Sequence, residues 1–146
     1  MTCDILDFVL IDPFELGETW AVDTHYRIPC VAITVNGIDL VQIVECLEDP
    51  TNPPTGIFEL NNYGHIDPKT LLETLKKPER ILLARCGGCG ETECCSLDAR
   101  LIESDDRITW QIYGTQLQVT DGLTFTFEKH QYQKAIAKLQ SMMLAN

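Results

Sequence analysis

Apolar and polar positions divide the chain into short alternating runs, two helical stripes and several polar loops. The stretch from Asp4 to Asp12 holds Phe8-Val9-Leu10-Ile11 and predicts a strand stopped by Pro13. Residues 13–29 mix proline, glycine and polar side chains around Trp20 and predict irregular structure. The runs 31–35 and 38–44 flank Asn36-Gly37, a pair suited to a two-residue type I′ turn because both central residues need positive φ. That turn sets Val35 opposite Ile38, Ile33 opposite Leu40 and Val31 opposite Gln42, with Thr34–Asp39, Ala32–Val41 and Cys30–Ile43 on the other face. Neither face is strongly polar, which predicts a central hairpin covered on both sides, its register set by the turn.

Residues 48–64 hold three prolines and two glycines and read as a loop. Ile66-Asp67-Pro68 then starts a helix, with Asp67 as cap, Pro68 at the first helical position and Ile66 and Leu71 as a hydrophobic staple. Leu71, Leu72 and Leu75 form its stripe, and Pro78 ends it. Residues 80–85 predict a strand. A second hairpin spans 97–113 about Asp105-Asp106, with Ser104 opposite Arg107. It places Leu97, Ala99, Leu101, Ile108, Trp110 and Ile112 on a packed face, and Asp98, Arg100, Arg107, Thr109 and Gln111 on a wet one. Leu117 with Val119, and Leu123 with Phe125 and Phe127, alternate on either side of Asp121-Gly122, and their phase predicts a loop longer than two residues. A closing helix over 128–144 is marked by Tyr132, Ala135, Ile136, Leu139 and Met143. Hairpins and helices without βαβ alternation define an α+β fold. It is an antiparallel sheet of hairpins packed with a short central helix and a C-terminal amphipathic helix. The 146 residues suit one domain, 1–146.

Charge adds a direction to this picture. The formal net charge is −11. Residues 1–60 hold 11 acidic side chains against one basic one, Arg27, whereas residues 61–146 hold 11 acidic and 10 basic. The N-terminal part therefore lacks the Lys and Arg that contact phosphate, which argues against nucleic-acid binding and against docking on anionic membranes. No apolar run exceeds four residues, so no transmembrane helix is expected. The opening Met-Thr-Cys-Asp lacks the basic and apolar regions of a signal peptide, and a cytoplasmic protein is the expectation.

Seven cysteines, an odd number, do not fit a disulfide framework. Cys30 and Cys46 read as small buried hydrophobes. Four others, Cys86, Cys89, Cys94 and Cys95, crowd into ten residues with glycines at 87, 88 and 90. A C-x-x-C step is a common zinc half-site, and a fourth ligand would have to come from a distant His65 or Cys46. Adjacent Cys94 and Cys95 point apart along a strand, which weakens a four-cysteine site. A thioredoxin-like thiol pair lacks its helix and sits beside Glu91 and Glu93. The simplest reading is a tight Gly-Cys turn joining two strands. His25, His65 and His130 form no metal-spaced pair. Asp23, His25 and Tyr26 form at most an isolated base, and Gly87-Gly88 lacks the helix and Lys of a phosphate loop, so no enzyme is expected.

From about Ile81 to Leu139, somewhat under half the chain, the sequence resembles a set of small, largely uncharacterised bacterial proteins. The shared features are Leu83-Ala84-Arg85-Cys86-Gly87-Gly88-Cys89-Gly90, a strand ending Ile108-Thr109-Trp110, and Phe125-Thr126-Phe127 with Tyr132 opening a final helix. Val35-Asn36-Gly37-Ile38-Asp39-Leu40 also looks like that set. The chain departs from the set's C-x-C-G-x-x-G-C pattern, since two residues separate its first two cysteines and its last two are doubled. The set implies no activity of its own. Small acidic proteins of this kind look like immunity proteins, which neutralise toxin domains of contact-dependent or other polymorphic toxin systems.

The resemblance and the charge balance together lead to an expected inhibitor of a cognate basic toxin, a nuclease for instance, whose phosphate-binding site an acidic surface would occlude. Asp12, Glu15, Glu18, Asp23, Glu48, Asp49 and Glu59 lie in or beside expected loops and are the contact candidates; the plainer reading of such residues is a solvated acidic surface. The rival is a structural zinc-binding or thiol-based module on Cys86, Cys89 and Cys94 or Cys95. Metal analysis of protein purified without chelator separates the two. Stoichiometric zinc, lost together with folding in Cys86→Ser, is the outcome the rival requires, and a folded zinc-free protein removes it.

Overall fold

The computed structural model describes residues 3–48, 63–87, 89–92, 95–114 and 123–144; of Glu48 and Leu144 only the backbone is described. It is α+β, with two antiparallel sheets linked by isolated bridges between Asp4 and Phe127 and between Val31 and Ile66, and with helices packed on them. Asp49, Glu59, Cys94, most of the expected 48–64 loop and the Leu117–Val119 pair fall outside these residues.

The first sheet contains β1 (Leu6–Ile11), β2 (Cys30–Val35) and β3 (Ile38–Asp39), in that order. Asn36 and Gly37 take φ of 54° and 83°, so the turn between β2 and β3 has the positive dihedrals that an Asn-Gly pair predicts. Val35 faces Ile38 and Thr34 faces Asp39. There the expected hairpin stops. Residues Leu40–Glu48 form a helix, α2, and the longer partner of β2 is β1, in register from Leu6–Val35 to Ile11–Cys30. The reason is local. One Asp39 carboxylate oxygen accepts the Val41 N–H at 3.0 Å and turns the chain out of the sheet. Leu40, Val41 and Val44 then share one buried helical face. All six residues of β2 are buried and it lies between β1 and β3, central as expected; past the end of β3, Val31 bridges Ile66 rather than a continuing hairpin strand.

Residues 13–29 also hold more than irregular chain, because Thr19–Thr24 form a short helix, α1. Its stop is His25, in the left-handed region at φ 54°.

The second sheet runs β4 (Tyr63–Gly64), β5 (Ile81–Cys86), β6 (Leu97–Glu103), β7 (Arg107–Gly114) and β8 (Thr124–Glu128), all antiparallel neighbours. The Ser104 N–H donates to the Arg107 carbonyl at 3.0 Å, which closes the β6–β7 turn where the side-chain pattern puts it. The packed face matches the alternation, with Leu97, Ala99, Ile108, Trp110 and Ile112 buried and Leu101 half-buried. Asp98 is the exception on the wet face. It is buried, and its two oxygens accept from Arg80 Nε and Ser96 Oγ.

Helices α3 (Pro68–Leu75) and α4 (Lys129–Leu144) cover the packed side. Asp67 caps α3, its Oδ2 accepting the Thr70 N–H at 3.0 Å, with Pro68 following as expected. From α4, Tyr132 meets Trp110 and Phe127 in an aromatic cluster with ring centroids 5.3–5.9 Å apart. The Trp110 indole N–H donates to the Tyr132 hydroxyl at 3.2 Å.

The N-terminal strand is fastened to the far end of the chain. The Asp4 N–H donates to the Thr126 carbonyl, and the Asp4 carboxylate accepts the Thr126 N–H. Gln131 on α4 both accepts the Leu6 N–H and donates to the Leu6 carbonyl, closing the open edge of β1 at that residue. Phe127 is fully buried under this junction. Phe127→Ala is expected to cost about 3–5 kcal/mol in urea denaturation, against about 1–2 kcal/mol for Gly37→Ala, whose added Cβ meets no atom and pays only for the left-handed backbone.

Candidate functional site

The chemically distinctive place is a cluster of charged groups inside the molecule. Three segments deliver it. Glu18 precedes α1, Asp39 ends β3, and His65 lies between β4 and α3. The fold buries all three, at 4%, 2% and 1% exposure. His65 Nδ1 lies 2.7 Å from Glu18 Oε2, and Nε2 lies 2.7 Å from Asp39 Oδ2.

Burial alone would strip the proton from this imidazole. The hydrogen bonds it donates to Asp39 and Glu18, and their charges, outweigh it and push the pKa of His65 up to about 9. At neutral pH His65 is therefore an imidazolium donating through both nitrogens. The second oxygen of each carboxylate is bonded too. Glu18 Oε1 accepts from Trp20 Nε1 at 2.8 Å and from the His65 backbone N–H at 2.9 Å, and Asp39 Oδ1 takes the Val41 N–H.

A cation borders this array. Arg85, at the end of β5, donates from Nε to the His65 carbonyl and from Nη2 to Asp67. Its guanidinium lies 4.3 Å from the Trp20 ring centroid and 5.6 Å from that of Tyr26. Trp20 is seated closely. A Cβ on Gly64 would come within 2.3 Å of its indole nitrogen, and the Trp20 N–H donates to the Gly87 carbonyl at 3.1 Å. Cys30 packs with Trp20, and burial pushes its thiol up to about 12, so it serves as a small buried hydrophobe, as the sequence suggested.

This arrangement can store a proton but cannot present one. Both ring nitrogens of His65 face carboxylates, so the ring offers neither a base to a substrate nor a donor atom to a zinc ion. Among the described residues, no group of three or more His, Cys, Asp or Glu is placed to hold a metal. Cys86 ends β5, Cys89 is exposed and Cys95 half-buried. A separate open hollow of about 750 Å³ lies at the start of α4, lined by charges of both signs that include Asp4, Asp106, Arg107 and Lys129.

The expected contact residues divide. Asp12, Glu15 and Asp23 lie in the connection between β1 and β2, with Glu15 and Asp23 exposed and Asp12 half-buried. Arg27 pairs with Glu15 at 3.1 Å and with Asp12 at 3.6 Å. Glu18 does not join them on the surface, because its carboxylate turns inward to His65. Glu48 ends α2. Neither Asp39 nor His65 stood out as half of an ion pair in the sequence. The available signal was polar residues flanked by apolar ones, in Ile38-Asp39-Leu40 and Gly64-His65-Ile66.

The chain is thus an α+β protein whose two sheets are tied by a buried acid–histidine–acid array. Compared with protein-family models, with curated proteins and with solved structures, it finds no match. No helix among the described residues is long and apolar enough to cross a membrane.

The stabilising contribution of the His65 proton is complete below about 6.5, the ordinary pKa of histidine, and is lost as pH rises through about 9. His65→Ala strands two buried carboxylates and is expected to cost about 3–5 kcal/mol. Urea midpoints followed from neutral pH past about 9 should fall more steeply for the native chain than for the variant. Parallel curves would show that His65 holds no such proton.

Proposed function

We propose that this protein is an immunity protein, a cytoplasmic inhibitor that binds and neutralises a cognate basic toxin domain, such as a nuclease. The observation that carries the reading is the make-up of the connection between β1 and β2. It is anchored inside by Glu18 and Trp20, while outside it exposes Leu16, Val22 and Ile28 beside Glu15 and Asp23. Exposed apolar side chains among carboxylates suit a protein partner of opposite charge: the apolar groups supply contact area and the carboxylates steer the approach.

The charge balance supports the same reading, since the first 60 residues carry one basic side chain against 11 acidic ones. A phosphate-binding enzyme presents a basic cleft, and an acidic surface that covers it competes with the nucleic acid. The resemblance to immunity proteins points the same way. On this reading the protein has no catalytic residue and needs neither nucleic acid nor membrane as a partner. Asp12 and Glu15 hold Arg27 in place, and Glu15 and Asp23 face the toxin.

The test is complex formation with the toxin domain encoded by the neighbouring gene. The double reversal of Glu15→Lys and Asp23→Lys should slow association about tenfold or more at low salt, and high salt should narrow that gap. Absence of a complex, or an association rate indifferent to both salt and the reversals, would overturn the proposal.

A further inference from the structure

The connection between β1 and β2 ends beside a hollow of about 290 Å³. Three segments line it. Tyr26, Ile28 and Pro29 come from the approach to β2, Pro68 from the start of α3, and Met143 from the last turn of α4. Sites for small molecules occupy about 300–1,000 Å³. This hollow lies at the lower bound, the size of a socket for an inserted side chain, the usual anchor of a protein interface.

Its walls are apolar and already ordered. The rings of Pro29 and Pro68 fix their own φ. The Tyr26 ring packs on Trp20 with centroids 4.6 Å apart, and burial pushes its phenol up to about 12, so it carries no charge at neutral pH. Asp67 also lines the hollow, but its charge is engaged within the protein, by Arg85 at 3.1 Å and by the N–H and hydroxyl of Thr70. Lys69 adds one exposed cation. Against these walls Ile28 is 58% exposed, the largest value for a large apolar side chain among the described residues. The hollow is continuous with the acidic surface, because Arg27, next to Ile28, pairs with Glu15 and Asp12. A partner seated on Glu15 therefore reaches Ile28 along the same surface, and the 11 acidic residues against one basic in residues 1–60 select a basic partner.

We propose that this hollow is the anchor socket of the inhibitor surface and receives one apolar side chain, a leucine, methionine or phenylalanine, from the basic toxin domain. The proposal rests on the immunity reading and adds a division of labour to it. The carboxylates set how fast the toxin arrives, and the socket sets how long it stays. Contact between apolar groups is not screened by salt as charge attraction is, so the two contributions separate in the kinetics. Walls that are rigid before binding keep the ordering cost of the socket small.

The experiment measures association and release of the full chain and the toxin domain encoded by the neighbouring gene, by surface plasmon resonance at low and high salt. Ile28→Ala and Met143→Ala, on two walls far apart in sequence, should each speed release about tenfold or more, equally at both salts, and leave association unchanged. Ile28 is exposed, so the urea midpoint of Ile28→Ala should match that of the native chain, which separates faster release from loss of fold. Release unaltered by Ile28→Ala, with the Glu15→Lys/Asp23→Lys reversal still slowing association, would overturn the socket alone. Failure of the native chain to bind the toxin would overturn both the socket and the immunity reading. A dimer of the chain by itself that Ile28→Ala dissociates would give the hollow to a second copy and likewise overturn the proposal.

Discussion

The protein is organised around one proton, held on His65 between two buried carboxylates. The array spans segments far apart in the chain, Glu18 before α1, Asp39 at the end of β3 and His65 after β4. Removing three ionisable groups from water costs several kcal/mol for each ion. The structure offsets this with short charge-assisted bonds and by using the other carboxylate oxygens on Trp20 Nε1, the His65 N–H and the Val41 N–H. An apolar trio could fill the same volume, but it would not dictate one arrangement. The array joins the first sheet to the β4–α3 segment through two directional 2.7 Å contacts.

Much of the second sheet was legible in the amino-acid pattern, because its alternation separates a packed face from a wet one. Trp110, Ile108 and Ile112 had only one side on which to pack, and Asp67-Pro68 announced a helix start that the structure uses. The first sheet was harder to read for a physical reason. Ile38-Asp39-Leu40-Val41 and the residues after it satisfy a strand period and a helix period together, and their β-branched side chains favour the strand. One hydrogen bond, from the Val41 N–H to Asp39, decides for the helix. The array itself was hidden because ion pairs across 26 and 47 residues leave no periodic trace. Glu18 illustrates this: Glu15 and Asp23, on either side of it in the sequence, are exposed, whereas its own carboxylate meets His65, 47 residues away.

The interior and the exterior of the β1–β2 connection therefore have different tasks. Inside, Glu18, Trp20 and Ala21 anchor it against β2 and the segment at Gly64. Outside, Leu16, Val22 and Ile28 remain uncovered. A segment held this firmly keeps its shape without a partner, so little ordering entropy would remain to be lost on association. Arg85 extends the same support to the cysteine turn, since it lies over Trp20 one residue before Cys86.

The fastening of β1 by Gln131 governs how the chain can be born. Ribosomes release a protein from its first residue onward, and domains commonly begin folding as they emerge. Here the Leu6 N–H and carbonyl find their partner 125 residues later, on α4. Asp4 likewise waits for Thr126. Until that helix leaves the exit tunnel, β1 presents an unfinished edge to its surroundings. The arrival of α4 is what ends this vulnerable interval, so nascent chains stalled before residue 131 are the form most exposed to strand-to-strand misassociation.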